Sequence, residues 1–288
     1  MKPAAFTYHR VSSVAHALSL LEMYADEAKV IAGGQSLGPM MNMRLAQPQH
    51  LIDLNGVTEL AGIRETADAL VIGAMTRHHD VATSARVRAA CPLLADAVAT
   101  VGHYAIRQRG TLGGSLVHAD PAAQIPLVAV TLDATVEIAG ALGTREVKAV
   151  DFIESVMTTD LAAHEMVTAV RFPRAGAAQR HGFKIVAQRH GDFAIVACAV
   201  TLELDGDIIR TLRIGLGGVS DKPVLLEQLA IQFCGEARHV DLAQRIGAAA
   251  AAAVDPEDSP EISSTYRREL VLVLTRRAVE QALSHVGH

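Results

Sequence analysis

Two stretches of this chain combine residue types and spacing that can do chemistry. Val30 to Arg44 reads V-I-A-G-G-Q-S-L-G-P-M-M-N-M-R, a short apolar run ending in Gly33-Gly34 and followed by Gln35-Ser36. Paired glycines after a strand let the backbone turn with φ > 0 and let a ligand come close to it. Successive N–H groups in such a turn form a nest for an anion, and Gln35 and Ser36 add side-chain donors. Arg109 to Pro126 reads R-G-T-L-G-G-S-L-V-H-A-D-P-A-A-Q-I-P, with Gly113-Gly114 again followed by Ser115 and Leu116. For either pair alone a plain turn is the better reading. Together they suggest two nests closing on one polyanionic ligand. Neither continues into the Gly-Lys-Ser/Thr of a P-loop, and neither has the G-x-G-x-x-G spacing of a dinucleotide fingerprint. The residues indicate a phosphate-containing ligand held in an unusual loop, and do not name it.

Other chemistries find less support. The chain has 13 histidines, but no H-E-x-x-H or similar ligand set, and no metal is assigned. His78 and His79 are adjacent, so their side chains diverge on any regular element. His118 lies inside the second motif, where contact with a ligand and loop packing are equally good readings. Ser36 and Ser115 do not sit in G-x-S-x-G, and no nucleophile–base pair is legible, so no catalytic residue is assigned. Cys91, Cys198 and Cys234 are isolated and odd in number, which argues against disulfide staples and for a cytoplasmic setting. An iron–sulfur cluster usually needs four thiolates; any such cluster must sit on another polypeptide.

A chain of 288 residues, half of them hydrophobic, is long enough for one large or two ordinary domains with a sizeable core. Aromatic residues make up 3% and tryptophan is absent, so packing relies on Ala, Val, Leu and Ile. The net charge of -5 and the lack of a basic stripe argue against nucleic acid as a partner. No apolar run approaches the roughly 20 residues of a membrane span, and the first ten residues lack the apolar core of a signal peptide.

The elements that must position the two motifs follow from periodicity. Ser12 or Ser13 is expected to cap a helix with Val14, Ala17, Leu18 and Leu21 on its apolar face. Strands are expected at Ala28–Ile31 and 51–54, and as a pair at 60–64 and Ala69–Gly73. Thr76 is expected to cap a helix starting near Arg77. A helical pattern over 84–101 breaks at Cys91-Pro92. Residues 122–132 are apolar throughout and read equally as helix or buried strand. A hairpin is expected over 134–138 and 144–147, and a linker over 172–179. Beyond it, 182–187, 194–204 and 208–216 read as three strands, with Asp205-Gly206 as a hairpin turn. Helical stretches over 240–253 and 266–282 close the chain, separated by a polar loop. Strands followed by helices indicate a small α+β domain.

The motif A-G-G-Q-S-L-x-P-x-x-x-x-R from Ala32 to Arg44, with T-L-G-G-S-L-x-x-x-D-P from Thr111 to Pro121, resembles one family. It is the FAD-binding medium subunit of molybdenum hydroxylases, as in carbon monoxide dehydrogenase and the flavin domain of xanthine dehydrogenase. The resemblance covers nearly the whole chain. It implies an α+β fold: a PCMH-type FAD-binding domain over 1–176, built of two α/β subdomains at about 1–56 and 57–176, then a small α+β domain over 177–288 with a three-stranded antiparallel sheet plus helices.

The resemblance also implies site residues. Ala32, Gly33, Gly34, Gln35, Ser36 and Leu37, with Thr111, Gly113, Gly114 and Ser115, would grip the FAD pyrophosphate. Gln124 stands where relatives often carry an acidic nucleotide contact, and Asp120 is the nearest carboxylate. Lys184 would lie near the polar edge of the flavin, and Phe193 against its face. The implied function is that of the FAD-carrying subunit of a heterotrimeric-type molybdenum hydroxylase. A large molybdopterin subunit would hydroxylate the substrate, and a small subunit with two [2Fe–2S] clusters would pass electrons to FAD and on to an external acceptor, in a dimer of heterotrimers. A stand-alone FAD oxidoreductase of the same superfold, or a flavin-binding assembly factor, are the alternatives.

Overall fold

The computed structural model describes residues 2–284. Subdomain 1 is built from β1 (Thr7–Arg10), α1 (Val14–Tyr24), β2 (Ala28–Ile31), α2 (Leu37–Asn42) and β3 (His50–Asp53). Both outer strands run parallel to β3 in a sheet of order β1-β3-β2. Ser13, not Ser12, caps α1, accepting the His16 N–H at 3.2 Å, and α1 buries Ala17 and Leu21 against this sheet.

Subdomain 2 begins with β4 (Ile63–Glu65) and β5 (Ala69–Gly73), an antiparallel pair. The helices α3 (His78–Thr83), α4 (Ala85–Ala90), α5 (Pro92–Ala99), α6 (Tyr104–Arg109), α7 (Leu112–His118) and α8 (Gln124–Thr131) follow. Then come β6 (Thr135–Gly140), β7 (Gly143–Lys148), α9 (Ala149–Phe152), the small hairpin β8 (Ile153–Ser155) and β9 (Thr158–Thr159), and β10 (Met166–Pro173). The sheet order is β4-β5-β10-β6-β7, antiparallel throughout.

Several elements depart from the sequence reading. Thr76 does not cap α3; Arg77 occupies the cap position but its side chain makes no capping bond, while the Thr76 hydroxyl bonds both the N–H and the carbonyl of Gly62. Residues 122–132 resolve into a helix: every residue of α8 is buried, because it lies between the helices of subdomain 2 and the sheet of the C-terminal domain, and a helix enclosed on all sides shows no stripe. The middle strand β10 has buried residues on both faces, which removes the alternation that would betray a strand. The expected linker begins inside β10. Only residues 174–178 join the domains, and they are tied down, Arg174 and Ala175 donating to the carbonyls of Asp68 and Ala90.

The C-terminal domain contains β11 (Gln179–Ala187), β12 (Ala194–Asp205), β13 (Ile208–Gly217), β14 (Val224–Leu225), α10 (Glu227–Phe233), α11 (Leu242–Ala252) and α12 (Ser264–Ser284). Its antiparallel sheet has four strands rather than three, because the two-residue β14 pairs with Gly215 and Leu216; so short a segment has no pattern to read. Gly206, with φ of 60°, makes the turn between β12 and β13. The last four residues of the 177–288 expectation lie outside the described residues. The domains are pinned together: the Arg213 Nε donates to the Thr131 carbonyl at the end of α8 at 2.6 Å.

Candidate functional site

A cleft of about 480 Å³ opens between subdomain 1, subdomain 2 and the tip of the β11–β12 hairpin. The first glycine motif leaves β2, turns, and enters α2. Gly34 makes the turn in the left-handed region, with φ of 69°, whereas Gly33 is not left-handed. Glycine is needed at 33 for another reason: a β-carbon there would lie 2.2 Å from the Arg109 carbonyl oxygen and 2.8 Å from the Gly110 α-carbon. The N–H groups of Gly33, Gly34, Gln35, Ser36 and Leu37 have no acceptor among the described residues, and all five residues line the cleft. Gln35 folds back, its Nε2 donating to the Gly33 carbonyl at 2.9 Å.

The second motif is built differently and is not a second nest. Gly113 and Gly114 lie in the first turn of α7 and neither is left-handed. Thr111 caps this helix, accepting the Gly114 N–H on its hydroxyl at 3.1 Å. The N–H groups of Leu112, Gly113 and Ser115 donate to the carbonyls of Thr76, Ala74 and Thr111. Glycine serves close packing here: a β-carbon on Gly113 would lie 2.6 Å from the Ala74 β-carbon, and one on Gly114 would lie 2.7 Å from the Thr111 Oγ1. The second motif thus brings Ser115 and the helix surface against the first and leaves the free N–H groups to the first alone.

Behind the two motifs runs a polar network. Tyr8 donates its hydroxyl to Asp53, which also accepts the Asn55 backbone N–H at 2.8 Å. Burial opposes the Asp53 charge, but the hydrogen bonds from Tyr8 and Asn55 outweigh it and hold the carboxyl below its usual range. The Asn55 Nδ2 donates to the Ala32 carbonyl at 2.9 Å, and the Asn55 Oδ1 accepts from the Arg77 Nη2 at 2.6 Å. The Arg77 Nη1 donates to the Arg109 carbonyl. Next in sequence, buried His78 lies 2.8 Å from the Thr111 carbonyl through Nε2, which therefore carries the proton. Burial pushes its pKa down to about 4, with the charges of Arg107 and Arg77 adding to the effect.

Of the residues expected at the site, Ala32, Gly33, Gly34, Gln35, Ser36, Leu37, Thr111, Gly113, Gly114, Ser115, Gln124 and Phe193 line this cleft. Asp120 and Lys184 do not. The Asp120 carboxylate accepts the Ala122 N–H at 2.8 Å in the turn before α8, and Lys184 sits half-buried on β11 opposite Cys198. Sequence reading missed Val101, Gly102 and Ile106 and the segment carrying Met157, Leu161 and Glu165, whereas the expected approach of the β11–β12 tip is present through Phe193, with Gly191 and Asp192 beside it. Gly102 and Gly191, both left-handed, touch there: a β-carbon on Gly191 would lie 2.9 Å from the Gly102 carbonyl carbon. Such contacts join residues far apart in the chain and leave no local pattern.

The lining suits an anionic ligand that also carries apolar surface. Backbone N–H groups, Ser36, Ser115 and the cationic Lys29 share the lining of the cleft with the apolar Val101, Ile106, Met157 and Leu161. The volume is in the usual range of ligand sites, roughly 300–1,000 Å³. Among the described residues no group of three or more His, Cys, Asp or Glu side chains is placed to hold a metal, and no helix is long and apolar enough to cross a membrane.

Residues 4–175 match the family described as FAD binding domain in molybdopterin dehydrogenase, and residues 181–282 match the CO dehydrogenase flavoprotein C-terminal domain. The chain is 35% identical to the glyceraldehyde dehydrogenase medium chain of Sulfolobus acidocaldarius, over 98% of this chain and 99% of the relative. It is 34% identical to the carbon monoxide dehydrogenase medium chain of Afipia carboxidovorans, over 98% of each. Its structure superposes on a chain of carbon monoxide dehydrogenase from Hydrogenophaga pseudoflava with a TM-score of 0.95, at 34% identity and covering 99% of both.

Proposed function

We propose, on the premise that this chain belongs to the family of FAD-binding medium subunits of molybdenum hydroxylases, that its cleft holds one FAD non-covalently as the electron outlet of a multi-subunit dehydrogenase. The observation that carries this reading is the run of acceptorless N–H groups from Gly33 to Leu37 in residues that line the cleft. A pyrophosphate supplies the oxygens such a run requires. The hydroxyls of Ser36 and Ser115 add donors on either side, and Gln124, at the start of α8, offers an amide to the nucleotide half. Asp120, engaged in its own turn, and Lys184, outside the lining, have lesser claims.

Bound here, FAD would supply the redox chemistry that no side chain offers, linking [2Fe–2S] clusters on a small partner subunit to an external acceptor. The chain's part is to bind, orient and exclude water. Val101 and Ile106 add apolar lining to the cleft. Phe193, 57% exposed at the rim, offers its ring to the flavin face while leaving the flavin close to the protein surface, where a partner or acceptor can approach. A large molybdopterin subunit carries the hydroxylating centre, in a dimer of heterotrimers.

Flavin content is the first test. The purified full chain is expected to be yellow, with one FAD per chain that denaturation in acid releases entirely. Colourless protein that takes up no FAD on titration overturns the reading. Flavin retained by the denatured chain overturns its non-covalent part.

A further inference from the structure

The network behind the cleft contains a side chain that no sequence motif singles out. Arg77 lies at the cap position of α3, half-buried, in a backbone bridge with Thr111. Burial lowers its pKa, the neighbouring charge of Arg109 adding to the effect, and among the described residues no carboxylate forms an ion pair with it. Asp80 and Asp53 act favourably on it only from beyond ion-pair distance, and the guanidinium is spent on two neutral oxygens. One is the Arg109 carbonyl, and the other is the Asn55 Oδ1. Asn55 in turn donates to the Ala32 carbonyl.

The two carbonyls at the ends of this bridge hold special places. Ala32 precedes Gly33, and Arg109 precedes Gly110 at the mouth of the second motif. The backbones cross there, since Gly33 has no room for a β-carbon above Arg109. The Ala32 carbonyl and the Gly33 N–H belong to one planar trans peptide, so they point in opposite directions. Holding the Ala32 oxygen on Asn55 therefore turns the first N–H of the nest away from the network. A rigid planar fork suits the task, because it fixes two acceptors at a set distance and angle, which an ammonium cannot do.

We propose that Arg77, through Asn55, is a positioning residue for the pyrophosphate: it clamps the two glycine motifs together and aims the Gly33 N–H into the cleft. The proposal rests on the reading that the cleft holds FAD. It makes the ADP half of the cofactor the part that depends on the clamp, although neither Arg77 nor Asn55 lines the cleft.

The test is a double-mutant cycle on the full chain stripped of flavin, with FAD affinity read by fluorescence titration and ADP affinity by competition. Arg77→Met and Asn55→Ala cut the clamp from opposite subdomains. Each is expected to weaken FAD and ADP by the same factor, about tenfold, and the double variant is expected to bind no worse than the weaker single one. Arg77→Lys keeps the charge, loses the fork, and is expected to behave like Arg77→Met. Melting curves of the apo chains report folding; Asn55 is exposed, so its variant carries the test if Arg77→Met does not fold. Unchanged FAD affinity in the single variants overturns the proposal. So do losses that add in the double variant, FAD weakened with ADP untouched, or full rescue by lysine. Wild-type chain that binds no FAD overturns instead the reading on which the proposal rests.

Discussion

A β-carbon placed on Gly33 would come within 2.2 Å of the carbonyl oxygen of Arg109. This is contact between two backbones, and neither can yield as a flexible side chain yields. Gly33→Ala is therefore expected to part the two motifs and weaken FAD binding roughly ten- to hundredfold, as overpacking of well-packed sites costs about 1–3 kcal/mol. Gly114→Ala meets a hydroxyl, the Thr111 Oγ1 at 2.7 Å, and is expected to lose less. Titration of both apo variants with FAD checks the order; equal affinities would show that this crossing does not govern the site.

The first motif was legible in the sequence because its chemistry is local. Five consecutive residues carry the N–H groups, and Gly34 makes the turn. The second was legible as a place but not as a mechanism. Gly113 and Gly114 look like a nest in one dimension, yet Gly113 is there to let α7 lie against Ala74, a fact of packing between distant residues. For the same reason Arg77, Asn55 and Ile106 carried no signal. In the fold, strands with one exposed face announced themselves, as in Ala28–Ile31, whereas β10 and α8, enclosed on both sides, lost their periodicity.

His78 gives the fold a defined acid response. Its pKa is depressed to about 4 from an ordinary 6.5, so the unfolded chain binds the extra proton between those values. Its contribution is fully present above about pH 6.5 and is lost as pH falls toward 4. At 1.36 kcal/mol per unit the loss is on the order of 3 kcal/mol. Denaturant melts of wild type and His78→Gln between pH 7 and 4 are the measurement. The variant is expected to show a shallower acid limb; parallel curves would contradict the assignment.

The three thiols are expected to differ in reactivity. Burial pushes Cys91 and Cys198 up to about 12, with few thiolates at neutral pH, whereas Cys234 is exposed. A maleimide reagent followed by peptide mass analysis should label Cys234 first and the other two only on unfolding. Rapid labelling of Cys91 in the folded chain would mean that the junction of α4 and α5 opens.

Phe193 separates stability from cofactor handling. More than half exposed, it adds little to the core, so Phe193→Ala is expected to leave the apo melting temperature nearly unchanged. If its ring lies on the flavin, the variant loses FAD faster, and the visible flavin bands shift. A stopped-flow release experiment and an absorption spectrum decide it; identical release and spectra would place the ring away from the flavin.

Under the proposed function, this chain relays electrons supplied by partner subunits and does not oxidise an organic substrate itself. Anaerobic absorbance of the flavin tests it most directly, with the same substrate given to the FAD-loaded chain alone and to the assembly with its molybdopterin and iron–sulfur subunits. Bleaching of the flavin bands is expected in the assembly and none in the isolated chain. Bleaching of the isolated, metal-free chain by that substrate would contradict it and make the protein an oxidoreductase in its own right.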